Sequence, residues 1–341
     1  MQLADHLDDG FTDYAYTVLN TLQKVFERMR EVQPKNLFLF QDGPRNGHPE
    51  DMEKILKCRE IVNNIDWNTT VHQRYEKENH GPDEAGYLAD KWAFESAEEC
   101  IVLEDDMVPS KSFFFFCQDM LEKYRYSNRV MLISGFNPTE TYNHCNSDYF
   151  FTAATITYGW ATWKRVIDEW DGTYSFLDDR DKVNQIEKYV SLHGLQKNYL
   201  RIIQSHRQSG IPHWETVLIS NQYLNNGLSL MPRKNMVSNI GITEGASHYA
   251  SDLNLIPKGI RKIFTMDQFD LDVENLKDPE KIEDDPEFAK EVYRIYGWGH
   301  PWVKAYRFIE SSIYQLKAGN VKYVINDFKS KVYNVIHHYN T

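Results

Sequence analysis

The run Cys100-Ile101-Val102-Leu103-Glu104-Asp105-Asp106-Met107-Val108-Pro109 constrains this chain more than any other stretch. Its apolar start suits a strand covered on both faces of a sheet, and three consecutive acids then stop it. Adjacent carboxylates repel unless positive charge lies among them, and a hard cation such as Mn²⁺ or Mg²⁺ prefers oxygen ligands. Open α/β sheets bind ligands beyond the carboxyl ends of their strands, where this acidic turn would lie. The following Phe113-Phe114-Phe115-Phe116, with Met120 and Leu121, predicts a helix packed on the sheet. The acids therefore stand at a strand-to-helix junction. The plain alternative is a solvated acidic loop, the commoner fate of such triplets.

The rest of the first 110 residues alternates. Apolar positions Val18, Leu22, Val25, Phe26 and Met29 predict a helix over residues 13–31, ended by Pro34. Leu37-Phe38-Leu39-Phe40 predicts a strand closed by the turn Gln41-Asp42-Gly43-Pro44. A helix over 49–63, a strand over 70–74, a polar loop over 78–82 and a helix over 84–95 follow. That order predicts an α/β fold with a mostly parallel, Rossmann-like sheet flanked by helices. Further on, 130–135, 149–152 and 228–232 read as strands and 185–207 as one helix. Residues 158–165 are dense in aromatics around Gly159. Residues 1–250 are expected to form the main unit, 251–285 a linker or extension centred on the acidic 278–285, and 286–341 a helical C-terminal region.

Composition removes several function classes. Fifty acidic against 38 basic residues give a net charge of −12, which argues against nucleic acid as the main partner. Cys58, Cys100, Cys117 and Cys145 show no metal-type spacing and imply reduced thiols. No apolar run is long enough to span a bilayer, and Met1-Gln2-Leu3-Ala4-Asp5 opens no signal peptide. A cytoplasmic protein is expected, with peripheral contact at the inner face of a membrane as a second setting. The tail 303–338 is amphipathic, with Lys304, Arg307, Lys317, Lys322, Lys329 and Lys331 among tyrosines and isoleucines. It reads either as an interfacial helix on anionic lipid or as a packing surface for the main unit or a second subunit. Glu310 and Asp327 interrupt the basic face and favour packing.

Taken in order, these segments resemble the GT-A-fold glycosyltransferases, particularly the branch around N-acetylglucosaminyltransferase I and its bacterial relatives. Leu39-Phe40-Gln41-Asp42-Gly43 resembles the strand end whose aspartate contacts uracil there, and residues 101–109 resemble the Glu-Asp-Asp metal motif. Gly159-Trp160 resembles the segment lining the donor sugar and acceptor cleft. Residues 225–228 and 238–241, with Ser247-His248 beyond, resemble the closing segment of the bacterial members. Met1 to Leu7 is too short and polar for that family's apolar first strand, which is expected to be atypical or missing.

The resemblance implies a metal-dependent transferase using a UDP-sugar and a glycan, glycoprotein or lipid-linked acceptor. Asp106 is then the direct ligand of Mn²⁺ or Mg²⁺, and His248 completes the shell unless it is an ordinary surface histidine. Glu104 and Asp105 face the donor sugar and ribose, or support the site from behind. Asp42 accepts from the uracil imide, or merely forms an Asx turn. Asn79 and Gly81 fit a loop close to the donor, and Gly159 and Trp160 line it unless Trp160 packs in the core. The base that deprotonates the acceptor is Glu215 in His213-Trp214-Glu215-Thr216, implying inversion at the anomeric carbon. Its plain reading is a helix N-terminal glutamate after Pro212. Asp168, Glu169 and Asp171 compete for the role. Two rival functions remain: a sugar-nucleotide pyrophosphorylase, for which no glycine-rich basic loop precedes Leu37, and a catalytically degenerate GT-A domain that binds a glycan or partner.

Overall fold

The structure is a computed structural model; it describes residues 2–3, 12–195, 197–242, 252–298, 300–326 and 329. In chain order the first half comprises β1 (Gln2–Leu3), α1 (Thr12–Val32), β2 (Asn36–Gln41), α2 (Asp51–Asn63), β3 (Thr70–Tyr75) and α3 (Gly81–Ala93). It continues with β4 (Glu99–Val102), β5 (Met107–Pro109), α4 (Lys111–Lys123), β6 (Val130–Ser134), β7 (Tyr149–Thr152), β8 (Trp160–Trp163) and α5 (Lys164–Ile167). The second half comprises α6 (Arg180–Leu192), α7 (Tyr199–Ser209), α8 (Trp214–Leu224), β9 (Leu228–Pro232), β10 (Val237–Asn239), α9 (Lys258–Arg261), α10 (Pro286–Tyr296) and α11 (Pro301–Lys317).

The alternation expected near the start is present. Strands β2 and β3 pair in parallel over six residues each, and Leu22, Val25, Phe26 and Met29 of α1 are buried in the core. A short first strand exists: Gln2 and Leu3 lie parallel to Phe40 and Gln41 on the free edge of β2. The second sheet corrects the expectation of mostly parallel strands. Its order is β4-β8-β6-β9-β7, and only β6 and β9 run in parallel. The aromatic segment around Gly159 forms the wholly buried strand β8, which inserts antiparallel between β4 and β6, and β7 pairs antiparallel with β9 at the edge. A small antiparallel pair, β5 with β10, stands beyond the end of β4.

One further expectation changes. The single helix over 185–207 is two helices, broken near Gly194, whose φ of 65° is left-handed and disfavours other residues. The segment 252–285, expected as a linker or extension, packs on the main unit. Ile256, Ile260, Ile263 and Met266 belong to the single large core cluster, as do Phe288, Ala289 and Val292 of α10. The acids that suggested a linker act as clamps. Asp278 accepts from the Tyr149 hydroxyl at 2.8 Å, Asp284 from the Ala153 amide at 2.6 Å, and Asp285 from the Tyr142 hydroxyl at 2.9 Å. Among the described residues no helix is long and apolar enough to cross a membrane.

Candidate active site

The acidic turn is built by backbone. Strand β4 ends at Val102, Leu103 is fully buried, and the chain reverses into β5, with the Met107 amide donating to the Glu104 carbonyl at 3.2 Å. Strand β10 lies against β5, and the Ile240 amide donates to the Asp106 carbonyl at 3.0 Å. Gly241 follows, its amide donating to the Asn239 side chain at 2.9 Å. A Cβ placed on Gly241 would stand 2.0 Å from Asp106 Oδ2, so the carboxylate lies directly on the glycine backbone. Asp105 is buried, while Glu104 and Asp106 are half-buried. Burial pushes the Glu104 carboxyl well above its ordinary range, and repulsion from Asp106, Glu215 and Asp105 adds to it.

Glu215 therefore belongs to the same electrostatic site as the turn. It sits in the first turn of α8, where the helix dipole favours an acid. Its side chain is open to solvent, yet enough protein surrounds it that desolvation raises its pKa, and Asp83 adds to the rise. The Thr157 hydroxyl donates to its Oε1 at 3.4 Å. The neighbouring Trp214 stacks on Trp160 of β8, with ring centroids 5.9 Å apart and planes 9° from parallel. That stack fixes the first turn of α8 to the sheet and sets where Glu215 points. The competing acids are committed elsewhere. Asp168 pairs with Lys164 at 3.0 Å, Glu169 accepts from Asn225 at 2.8 Å, and Asp171 accepts from the amides and hydroxyls of Thr173 and Ser175.

Trp160 and Gly159 both lie inside the protein. Trp160 is 1% exposed and touches Trp214, so it supports the site from within the core. Gly159 is also buried. Its φ is 68°, and a Cβ there would meet Val237 Cγ2 at 2.9 Å, which makes it a packing residue between the turn and β10.

Asp42 is fully buried and serves as a clasp. It accepts from the amides of Gly43 and His80 and from Asn79 Nδ2 and the Gly81 amide, all within 2.9–3.0 Å. A carboxylate has about four lone-pair sites, and the loop before α3 saturates them. These bonds do not form an Asx turn, since Pro44, two residues on, has no amide hydrogen; they tie Asp42 to a loop 37 to 39 positions away. Burial nonetheless outweighs these donors and leaves its pKa raised. Asn79 donates to Asp42 and to the Gly43 carbonyl. Beside this clasp, at the carboxyl ends of β2 and β3, lies a cleft of about 720 Å³ lined by Arg45, His48, Met52, Lys77 and Asn79 among others. Arg45 is braced by a bidentate pair with the buried Asp51 at 2.9 and 3.1 Å.

A chain of contacts joins clasp to turn. Helix α3 begins at the clasp and packs on α8. Its Asp83 meets His213 at 3.1 Å, and the His213 ring stacks on His206 with centroids 3.6 Å apart. Sequence reasoning missed Asp83, Thr157 and His213; none carries a local pattern, since their partners come from distant elements. Gly241 was seen only within a family-like segment.

His248 lies outside the described residues. Among those described, no group of three or more His, Cys, Asp or Glu side chains is placed to hold a metal ion. The residues still fit a hard dication of the kind that takes one or two carboxylates and completes its shell with phosphate and water. The donors are carboxylate oxygens, their mutual repulsion calls for positive charge, and Gly241 lets the Asp106 carboxylate lie where any side chain would displace it. No protein-family model matches the chain, and no curated protein matches its sequence.

Proposed function

We propose that the protein is a metal-dependent, inverting glycosyltransferase of GT-A type that uses a UDP-sugar and a glycan or glycoconjugate acceptor. One observation carries the reading: the candidate base Glu215 and the acidic turn, read separately from distant parts of the sequence, meet through Trp160, which pairs with Val102 before the turn and stacks on Trp214 beside Glu215. The cleft beside the Asp42 clasp supplies a place for the nucleoside, with Lys77 and Asn79 on its wall. Asp106 and Glu104 would hold the cation, which when bound neutralises the diphosphate and eases its departure.

The chain's own residues divide the remaining work. Glu215, with its raised pKa, takes the proton from the acceptor hydroxyl. The acceptor oxygen bonds to the anomeric carbon as the bond from that carbon to the diphosphate oxygen breaks, and the electron pair leaves with UDP. Attack opposite the leaving group inverts the centre. Thr157 holds Glu215 in place, and the Trp160–Trp214 stack keeps α8 from rotating.

The saturated carboxylate of Asp42 favours a second reading, a domain of this type that binds without catalysis. A panel of UDP-sugars separates the two. The transferase reading expects Mn²⁺-dependent thermal stabilisation by UDP and sugar release from one donor. Asp106→Ala should lose both, and Glu215→Gln should keep the stabilisation but lose turnover. Absence of nucleotide binding with Mn²⁺ present would remove the transferase reading.

A further inference from the structure

Helix α11 turns its apolar side to solvent. Trp302 is 85% exposed and Tyr306 67%, and Ile309, Ile313 and Leu316 are exposed as well. These five residues are spaced four, three, four and three apart, which places them on one stripe of the helix. The other side faces the protein with largely polar groups. Arg307 donates to the Arg294 carbonyl at 3.3 Å, the Lys258 amide donates to Glu310 at 3.4 Å, Tyr314 lies under Arg261, and Gln315 is buried. A helix that only stabilised its own chain would be oriented the other way, with isoleucines inward.

We propose that this stripe is the seam of a homodimer, in which α11 packs against α11 of a second copy. The argument is independent of the catalytic reading. First, alternating steps of four and three average 3.5 residues, the repeat that keeps two helices in continuous contact. Second, the stripe suffices in area. Its five side chains expose roughly 700 Å² per copy, so a two-fold pair that covered them completely would bury about 1,400 Å², within the range of stable specific interfaces. Third, a two-fold axis sets the same patch on itself, so one apolar stripe is complementary to its own copy. Fourth, the residues flanking the stripe suit a helix and not a lipid surface. Ala305 and Ser312 are small enough for close approach on one flank, and Glu310 and Lys317 stand on the other. On the far side Arg307 is committed to the protein, donating to the Arg294 carbonyl at 3.3 Å.

Sedimentation velocity on the full chain at micromolar concentration tests this. The wild-type protein should sediment as a dimer. Ile309→Glu and Ile313→Glu, both at exposed positions that the monomer fold does not need, should each weaken the dimer by about 30-fold or more. Both should keep the wild-type circular dichroism spectrum. Lys304→Glu, on the same helix off the seam, should remain a dimer. A wild-type chain that sediments as a monomer would overturn the proposal, whether the stripe is then covered by residues 330–341 or by vesicles containing phosphatidylserine. So would a dimer that both glutamate variants leave intact.

Discussion

The contact between Gly241 and Asp106 allows the metal assignment to be tested without touching a carboxylate. In Gly241→Ala the new Cβ would stand 2.0 Å from Asp106 Oδ2 and 3.0 Å from Cγ. Non-bonded heavy atoms settle at roughly 3.5 Å, so the carboxylate must swing by about 1 Å or more. The fold should tolerate this. Overpacking costs about 1–3 kcal/mol in a closed core, but Asp106 is half-buried and its side chain can rotate, which places the cost at the low end. The lost flexibility of the unfolded chain returns roughly 0.4–1 kcal/mol, because Gly241 is not in the left-handed region. Net stability should change by less than about 1 kcal/mol.

Ligand binding should change far more. A displacement of about 1 Å in a positioning group can cost about 100-fold, equivalent to roughly 2.7 kcal/mol. Calorimetric titration of UDP in the presence of Mn²⁺, on the wild type, Gly241→Ala, Asp106→Ala and the double variant, reads this directly. If the glycine acts only through the carboxylate beneath it, Gly241→Ala weakens binding alone and adds nothing to Asp106→Ala. Unchanged binding in Gly241→Ala, or full additivity in the double variant, would refute the placement of a cation at Asp106.

The pH dependence of the apo protein offers a second test. Because burial and neighbouring acids raise the Glu104 pKa, its ionised form is a burden on the fold. That burden appears as pH climbs past the unfolded value of roughly 4.3 and is complete above the folded one. Glu104→Gln should therefore melt with the wild type near pH 4 and above it at pH 7.5, and equal melting temperatures at pH 7.5 would refute the like-charge account. Removing the clasp should act the opposite way. Asp42→Ala orphans the amides of Gly43, His80 and Gly81, and a loss of about 2–4 kcal/mol in denaturant unfolding is expected; a loss below roughly 1 kcal/mol would show that the loop stands without it. Gly43→Ala, whose Cβ would meet the Glu78 backbone nitrogen at 2.5 Å, should destabilise the same loop by about 1–3 kcal/mol in the same assay.

What the sequence disclosed was what local pattern can carry. The strand before Glu104 and the helix positions of α1 were legible because apolar spacing is set within a few residues. Strand β8 was not, since Trp160, Ala161, Thr162 and Trp163 are all buried and a strand covered on both faces has no alternation to read. Strands β5 and β10 span three residues each, too few for any period. Acids posed the hardest problem. Asp278, Asp284 and Asp285 read as a solvated linker but are hydrogen-bond acceptors for Tyr149, Ala153 and Tyr142, and composition does not separate a paired acid from a free one. Asp42 meets His80 across 38 positions, and Trp160 finds Trp214 only when β8 and α8 come together.

The contrast between acids that meet basic groups or amides and Glu104, which other acids crowd, is the strongest physical case for a ligand at the turn. Elsewhere this acidic chain supplies partners: Arg45 to Asp51, Lys164 to Asp168, Arg207 to Asp178, and amides and hydroxyls to Asp171. At Glu104 the influences run the other way, for burial and the carboxyls of Asp106, Glu215, Asp105 and Asp90 all push its pKa upward. Backbone hydrogen bonds at Glu104 and Asp106 keep the turn itself in that arrangement. Proteins break local rules where function demands it, and perturbed carboxyls gather at such places. The turn concentrates acids while Glu215 stays open to solvent, and the proposed cation would offset that charge and draw an anionic donor to it.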